Sequence, residues 1–372
     1  MAEPQENLVE VRFNGQRFGF WQKVNIRMSV DDLAASINLS LVSQGASAAL
    51  GLDANTVAEV LINDVLVATV RADSVRRTVD KNSHSISLQA RSLGRELIDC
   101  QYSMTLKGIR LGEIVKRICT LFKVPVKVPQ TTAIVPDFSM QAESPSNAIL
   151  NAARASNMLI YPTPDGGLMM TEPSDSAPVA TLVMGEQIKS YVINDEYKLR
   201  FSEYYVKSFD YDANTSRKGA VVDAGLTYFR PMHIVADRHG NGLGALQRRA
   251  ELERNRRLAR AHSIELALFG WGYTTPAGKF EPWRINTNVR VVIPDEGIDE
   301  VFLIGDGSYE QDDQQGTVTN LTVMNRLAFV GEVKQPKKHS AAYRKYAQQR
   351  KKDAEFTKLF NSAAEIEGMV NK

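Results

Sequence analysis

The chain has 372 residues, 43% of them apolar and 24% charged, with a formal net charge of +2. That balance excludes disorder as the default state and leaves room for about two to four cored domains. So small a net charge gives no global attraction to nucleic acid or an anionic membrane, and a partner of either kind would need a local patch.

The N-terminal MAEPQENLVEV carries acids where a signal peptide needs a basic flank and an apolar run. No later window approaches ~18 uninterrupted apolar residues, so a cytoplasmic product without stable membrane insertion is expected. From Leu8 to about Ser92 the dominant period is two, through Val9, Val11 and Phe13, then Val24, Ile26, Met28 and Val30, then Ile37, Leu39 and Leu41. That pattern predicts half-buried strands. Asn63-Asp64 lie between two β-branched runs and tolerate the positive φ of a hairpin turn. Residues 1–100 therefore read as a first antiparallel β domain, a barrel or a sandwich. Its closing strand, SISLQARS, runs into the polar knot Arg91-Ser92-Leu93-Gly94-Arg95 and an exit through Glu96 and Asp99.

Past Tyr102 the period changes. Leu111, Ile114, Val115, Ile118, Leu121 and Phe122 recur at helical spacing, and VPVKV follows as a short strand. A second helix starts where Ser144 can cap and Pro145 suits the first turn, and a hairpin closes over Asp165-Gly166-Gly167. Residues 101–177 form a small mixed α/β domain with SDSAPVA as its exit linker. Period two returns over 187–209 and 285–333, which predicts a second, discontinuous β-barrel from 178–209 and 276–333. Residues 210–275 between them hold LTYFRPMHIVAD and the charged segment ALQRRAELERNRRLARAHSIELALFGW, read as an inserted helix packing back on the α/β domain. The segment 334–372 reads as a basic, weakly amphipathic helical tail marked by Tyr343, Tyr346, Phe356, Leu359 and Phe360, which extends to a partner or a neighbouring subunit.

The two β regions resemble each other. VAEVLINDVLVATVRADS, with Leu88 following 14 residues after Ser74, parallels VRVVIPDEGIDEVFLIGDGS, with Val323 following 15 residues after Ser308. The expectation is one β domain present twice, with the insertion falling where the first copy has only the loop SQGASAALGLDAN.

Chemistry-bearing motifs are absent from the pattern. Cys100 and Cys119 match no C-x-x-C or zinc spacing and are expected to be buried free thiols in a reducing compartment. Of His84, His233, His239, His262 and His339, none sits in H-E-x-x-H; His233 and His239 could meet across a turn, but no zinc site is proposed. HGNGLGALQRR lacks the strand and the Lys-Ser/Thr pair of a phosphate loop and reads as a helix-entry turn. Asp295, Glu296, Asp299, Glu300 and the pair Asp312-Asp313 fall in predicted loops and not in a sugar cleft. No catalytic, cofactor-binding or metal residue is assigned, and no enzyme is expected. The alternating acids of RRAELERNRRLAR and the unframed RKYAQQRKK favour solvated or subunit-facing surfaces over nucleic-acid binding.

One stretch is specific. LQARSLGRELIDCQY resembles the strand-to-linker junction of contractile-tail phage baseplate hub proteins, the family that includes the hub of phage Mu. Its members carry a serine, an arginine and then Leu-Ile/Val-Asp-Cys here. WQKVNIRMSVDDLAASINLSLV, ESPSNAILNAARASNMLIYPTPDGGLMMTEP and QRRAELERNRRLAR agree too, in the expected order, over about residues 8 to 333. The resemblance implies a β-rich α+β multidomain fold: two similar antiparallel β-barrel domains, a small mixed α/β domain and an inserted helical segment. It implies a homotrimer of six barrels in the virion's tail baseplate, assembled in the host cytoplasm. The implied partners are the tail tube protein or a tube-adjacent baseplate protein, the central spike protein and other baseplate proteins, with DNA only in transit. On that basis the run from Arg91 to Asp99 satisfies backbone groups and subunit contacts at a domain corner; an ordinary solvated linker is the competing reading. A hub-associated cell-wall hydrolase and a DNA-binding or DNA-guiding tail protein are the alternative functions.

Overall fold

Alternating apolar residues build the first β region. The structure, a computed structural model, describes residues 8–19, 21–43, 53–81, 84–156, 158–210, 215–235, 243–312, 316–329 and 352. β1 (Val9–Phe13), β2 (Gln16–Phe18), β3 (Lys23–Ser29), β4 (Ser36–Ser43), β5 (Val57–Ile62), β6 (Val65–Val79) and β7 (His84–Ser92) pair antiparallel in the order β3-β4-β7-β6-β5-β1-β2. Val24, Ile26, Met28, Ile37, Leu39, Ile86 and Leu88 point into one core, as period two requires. Asn63 and Asp64 form the β5–β6 turn with φ of 48° and 62°, the conformation their short polar side chains tolerate. Opposite β7, the register of β6 slips between Ala72 and Ser74, leaving Asp73 as the extra residue of a bulge.

The chain then enters the α/β domain through α1 (Arg95–Asp99), followed by β8 (Tyr102–Arg110), α2 (Leu111–Leu121), β9 (Val126–Lys127), β10 (Ile134–Glu143), α3 (Pro145–Ala155), β11 (Leu159–Pro162) and β12 (Leu168–Thr171). Ser144 caps α3, its hydroxyl accepting from the Asn147 amide at 3.4 Å, with Pro145 at the first turn. Leu111, Ile114, Val115, Ile118 and Cys119 from α2 meet Ile149 and Ala153 from α3 in one apolar core. Leu97 of α1 and Leu33 from the turn after β3 join the same core, so the first β region and the α/β domain share buried surface.

The second β region comprises β13 (Thr181–Val183) and β14 (Ile188–Asp195). It is interrupted by β15 (Glu203–Asp210), β16 (Thr215–Val222), β17 (Pro231–Val235) and α4 (Leu243–Arg260). It resumes with β18 (His262–Phe269), β19 (Gly272–Thr274), β20 (Phe280–Pro282), β21 (Asn288–Ile293), β22 (Ile298–Asp312) and β23 (Gly316–Met324). Its path, β14-β18-β23-β22-β21-β13, repeats β3-β4-β7-β6-β5-β1 strand for strand. The 15-residue β22 also carries a bulge, between Ile304 and Asp306. One difference is that β13 runs parallel to β21, where β1 runs antiparallel to β5.

The two halves are joined edge to edge, since Val24–Ser29 of β3 pair antiparallel with Asp306–Gln311 of β22. The result is one 13-stranded sheet whose path ends at β14 and β2; among the described residues no closing ladder is found within either half.

Three expectations are corrected. The interruption lies between β14 and β18, the counterparts of β3 and β4, so it replaces the turn 30–35; the stretch of sequence between β4 and β5, where it was expected, corresponds in the second copy to the stretch between β18 and β21 that holds β19 and β20. The charged helix stops at Arg260, and HSIELALF is a strand, with Ile264, Leu266 and Leu268 buried on alternate positions. Strand β15, read as part of the second β region, pairs instead with β16 and β17.

By contacts the described residues divide into two compact units, one made of residues up to Ile193 with Ile264–Met324, the other of Asn194–Ser263 with those from Asn325 on. In the second, α4 covers the β15–β17 sheet, packing Leu246 and Ala250 on Tyr204, Val206 and Val221. The helix comes so close that a Cβ on Gly219 would lie 2.5 Å from the Leu246 carbonyl carbon. Gln247 fastens the contact by accepting from the Ala220 amide at 3.2 Å and donating to its carbonyl at 3.0 Å. The expected basic tail lies outside the described residues apart from Lys352. No described helix is long and apolar enough to cross a membrane.

Candidate assembly junction

The polar run after β7 is an ion-pair cluster built on the β6 bulge. Arg91 donates from Nε and Nη2 to Asp73, at 2.6 and 3.1 Å, and from Nη1 and Nη2 to Asp99, at 3.0 and 2.6 Å. Arg95 donates to the Asp73 carboxylate at 2.8 Å and to the Ala72 carbonyl at 2.9 Å, and its Nε reaches Glu96 at 3.0 Å. The bulge turns Asp73 out of the ladder, toward both arginines. Hydrogen bonds to Asp99 and then Asp73 push the Arg91 guanidinium above its ordinary range, and the bond from Arg91 holds the Asp99 carboxyl below its own.

Beside this cluster the chain turns in very little space. Ser92 is fully buried; its hydroxyl accepts from the Ala35 amide at 2.9 Å and its own amide donates to the Ala35 carbonyl at 3.0 Å. A Cβ on Gly94 would lie 1.9 Å from the Leu33 carbonyl oxygen, so only glycine fits. Leu97 then drops into the α/β core. The tip of the β11–β12 hairpin meets β6 nearby, with Thr69 donating to the Pro164 carbonyl at 2.9 Å, and Arg154 reaches Asp31 at 3.3 Å. The arrangement fixes the angle between β region and α/β domain by charge-assisted hydrogen bonds and close packing.

Arg91 and Asp99, both singled out in sequence, therefore meet. Asp73 was missed; its only trace is an acid in VRADS where the alternation of β6 slips. The other chemistry-bearing residues stay apart. His233 stacks on Tyr205 with ring centroids 4.9 Å apart, His262 bonds Asp195 at 2.8 Å, and His239 and His339 lie outside the described residues. Glu296 accepts from the Tyr191 hydroxyl at 3.2 Å, Asp299 is paired with Arg290 at 2.7 and 2.8 Å, and Asp313 lies outside the described residues. Among the described residues no three His, Cys, Asp or Glu side chains converge in a metal-binding group. Cys119 is buried as expected, whereas Cys100, at the end of α1, is only half-buried.

Comparison with known proteins covers most of the chain. The Mu phage baseplate assembly protein GpP-like N-terminal domain matches residues 8–92. The second domain of baseplate hub protein gp44-like proteins matches 95–172, and the fourth domain of Mu phage baseplate assembly protein GpP matches 244–332. The baseplate hub protein gp44 of Escherichia phage Mu is 28% identical over 353 residues, covering 90% of this chain and 92% of that protein. Among solved structures, the 43 kDa tail protein of prophage MuSo2 from Shewanella oneidensis superposes with a TM-score of 0.75 at 22% identity, over 87% of this chain and 99% of that one. A tail protein from Neisseria meningitidis gives 0.75 at 23% identity, over 87% and 98%. The fold extends, at a TM-score of 0.56 and 8% identity over 85% and 76%, to an E. coli type VI secretion component described as similar to the T4 bacteriophage tail proteins gp27 and gp5.

Proposed function

Because the chain belongs to the Mu-type phage baseplate hub proteins, structural components of the virion tail, we propose that three copies form a ring of six related β regions. That ring joins the sixfold tail tube to the threefold central spike and leaves a central passage for DNA during ejection. The observation that carries this reading is the duplicated strand path, with its two copies joined side by side by β3 and β22. A chain with two copies of one module is the simplest object that is threefold as a protein and nearly sixfold as a surface, and such assembly uses broad complementary faces instead of a pocket.

The reading makes this a structural protein without a catalytic step. Its partners are the tube or a tube-adjacent protein on one face, the spike on the other, and further baseplate proteins around them. DNA passes without being held, so tight, salt-sensitive DNA binding would count against it. The decisive experiment is negative-stain electron microscopy of the purified protein at micromolar concentration, alone and with the spike protein, classified without imposed symmetry. Threefold particles with six lobes and a central hole are expected; monomers under both conditions would overturn the ring.

A further inference from the structure

We infer that Tyr228 and Phe229, on the loop between β16 and β17, are a preset anchor for another baseplate protein, one that presents an apolar cleft with a carboxylate at its lip. This rests on the baseplate reading above, gives one of its partners a surface, and does not depend on the ring.

The loop is fixed at both ends by the inserted sheet. It leaves β16 at Asp223 and returns at Arg230, just before β17, and both ends are tied to Ser202, a residue only 6% accessible. The Asp223 amide donates to the Ser202 carbonyl at 2.9 Å, the Ser202 amide donates to the Arg230 carbonyl at 2.9 Å, and the Arg230 amide donates to the Ser202 hydroxyl at 2.8 Å. Inside the loop, the Leu226 amide donates to the Asp223 carbonyl at 3.2 Å and the Gly225 amide donates to the Asp223 carboxylate at 2.9 Å. A Cβ on Gly225 would lie 2.3 Å from Nη2 of Arg200, so the chain is wrapped directly onto the Arg200–Asp223 ion pair. At the other end the Arg230 guanidinium lies 5.0 Å from the centroid of Phe201, and its Nη2 donates to the Lys198 carbonyl at 2.7 Å.

This framework holds apolar rings in water. Phe229 is 77% accessible and Tyr228 52%, and Tyr197, next to the carbonyl that Arg230 bonds, is 60% accessible. Neither loop ring belongs to the apolar core under α4. One exposed aromatic side chain is ordinary, but adjacent rings on a backbone locked by a buried serine and a buried ion pair are costly to arrange and idle without a partner. Aromatic side chains supply much of the energy of protein interfaces, and a loop that is already fixed loses little further freedom on binding.

Arg230 defines the chemistry of that partner. Nearby cations have acids of their own: Arg200 has Asp223, Arg257 has Glu253 and Lys198 has Glu196. Among the described residues Arg230 has no carboxylate partner, and its Nε is buried without an acceptor. Covering Phe229 takes water from this neighbouring guanidinium, which is favourable only if the covering surface brings a negative charge. An apolar cleft with a carboxylate beside it meets both demands.

The test uses whole particles. A phage lacking its own hub gene is complemented with Phe229→Ala, Tyr228→Ala or the apolar replacement Phe229→Leu, and each purified protein is melted and sized. Both rings face solvent, so unchanged melting and solution mass are expected. Phe229→Ala is expected to lower the yield of infectious particles by about tenfold or more, with most of the yield kept by Phe229→Leu. Normal yield from both alanine variants overturns the anchor. A second measurement stands even if an alanine variant melts early: Phe229→p-benzoylphenylalanine is carried into assembled tails, which are irradiated and digested. The expected crosslink joins position 229 to a different tail protein, within an apolar segment that contains Asp or Glu. A crosslink to a second copy of this chain, a crosslink to a segment without an acid, or no crosslink overturns the proposal. None of these outcomes bears on the ring, which the electron microscopy decides.

Discussion

At the scale of single residues, the Arg91 cluster makes the sharpest claims. Arg91 is the one side chain that bonds both Asp73 and Asp99, so Arg91→Ala removes four charge-assisted hydrogen bonds at once. With water screening part of that attraction, we expect a loss of about 1–2 kcal/mol, measured by urea unfolding. The pH dependence has a definite sign. Because the folded-state pKa of Asp99 lies below its ordinary value, its contribution is complete above the unfolded carboxylate range and fades as pH falls through the lower folded value. The stability gap between wild type and Arg91→Ala is therefore expected to hold at neutral pH and shrink below about pH 4. Burial pushes the Cys119 thiol up to about 12, so it should stay inert to iodoacetamide at neutral pH in folded protein while half-buried Cys100 reacts. One labelled site when native and two in denaturant would confirm that contrast; two when native would refute it. Arg91 and Asp99 were legible because they lie in one short run. Asp73 was not, because a bulge partner is set by the register of two strands and has no sequence spacing of its own.

At the scale of elements, the inserted β15–β17 sheet depends on one buried ion pair. Arg200 meets Asp223 through two bonds of 2.9 Å, and Asp223 is 4% accessible on its side chain. Asp223→Ala strands a mostly buried guanidinium and also removes the acceptor for the Gly225 amide, so a cost of about 3–5 kcal/mol is expected in thermal or chemical melts. A change under 1 kcal/mol would show that water already solvates Arg200. The strands and caps of this protein were readable from period two, from Asn63-Asp64 and from Ser144-Pro145, since each rests on local geometry. Sheet membership was not. Period two in EYYVKSF reveals a strand without saying which neighbour it takes, and HSIELALF follows directly on a charged helix, so its alternation is visible only once Ile264, Leu266 and Leu268 are seen buried.

At the scale of the whole molecule, the duplicated path governs what truncation should do. The described fold ends before the basic segment 334–372, apart from Lys352. Removing residues 337–372 is expected to leave folding and the sedimentation of the purified protein unchanged while lowering the yield of infectious particles in complementation. Normal particle yield would remove that segment from assembly. The junction itself should tolerate little, since its glycine, its buried serine and its charge cluster act together.

The corner between the third strand and the fourth has a further consequence. In the first copy it is the turn 30–35, and it sends Leu33 into the core of the α/β domain. In the second copy the same corner opens into the whole β15–α4 insertion. Each copy thus uses that one site to carry an appendage, by packing in one case and by chain continuity in the other. The strand plan behaves as a repeated chassis with a single mounting point, where new surface can be added in evolution or by design without disturbing the pairing that repeats.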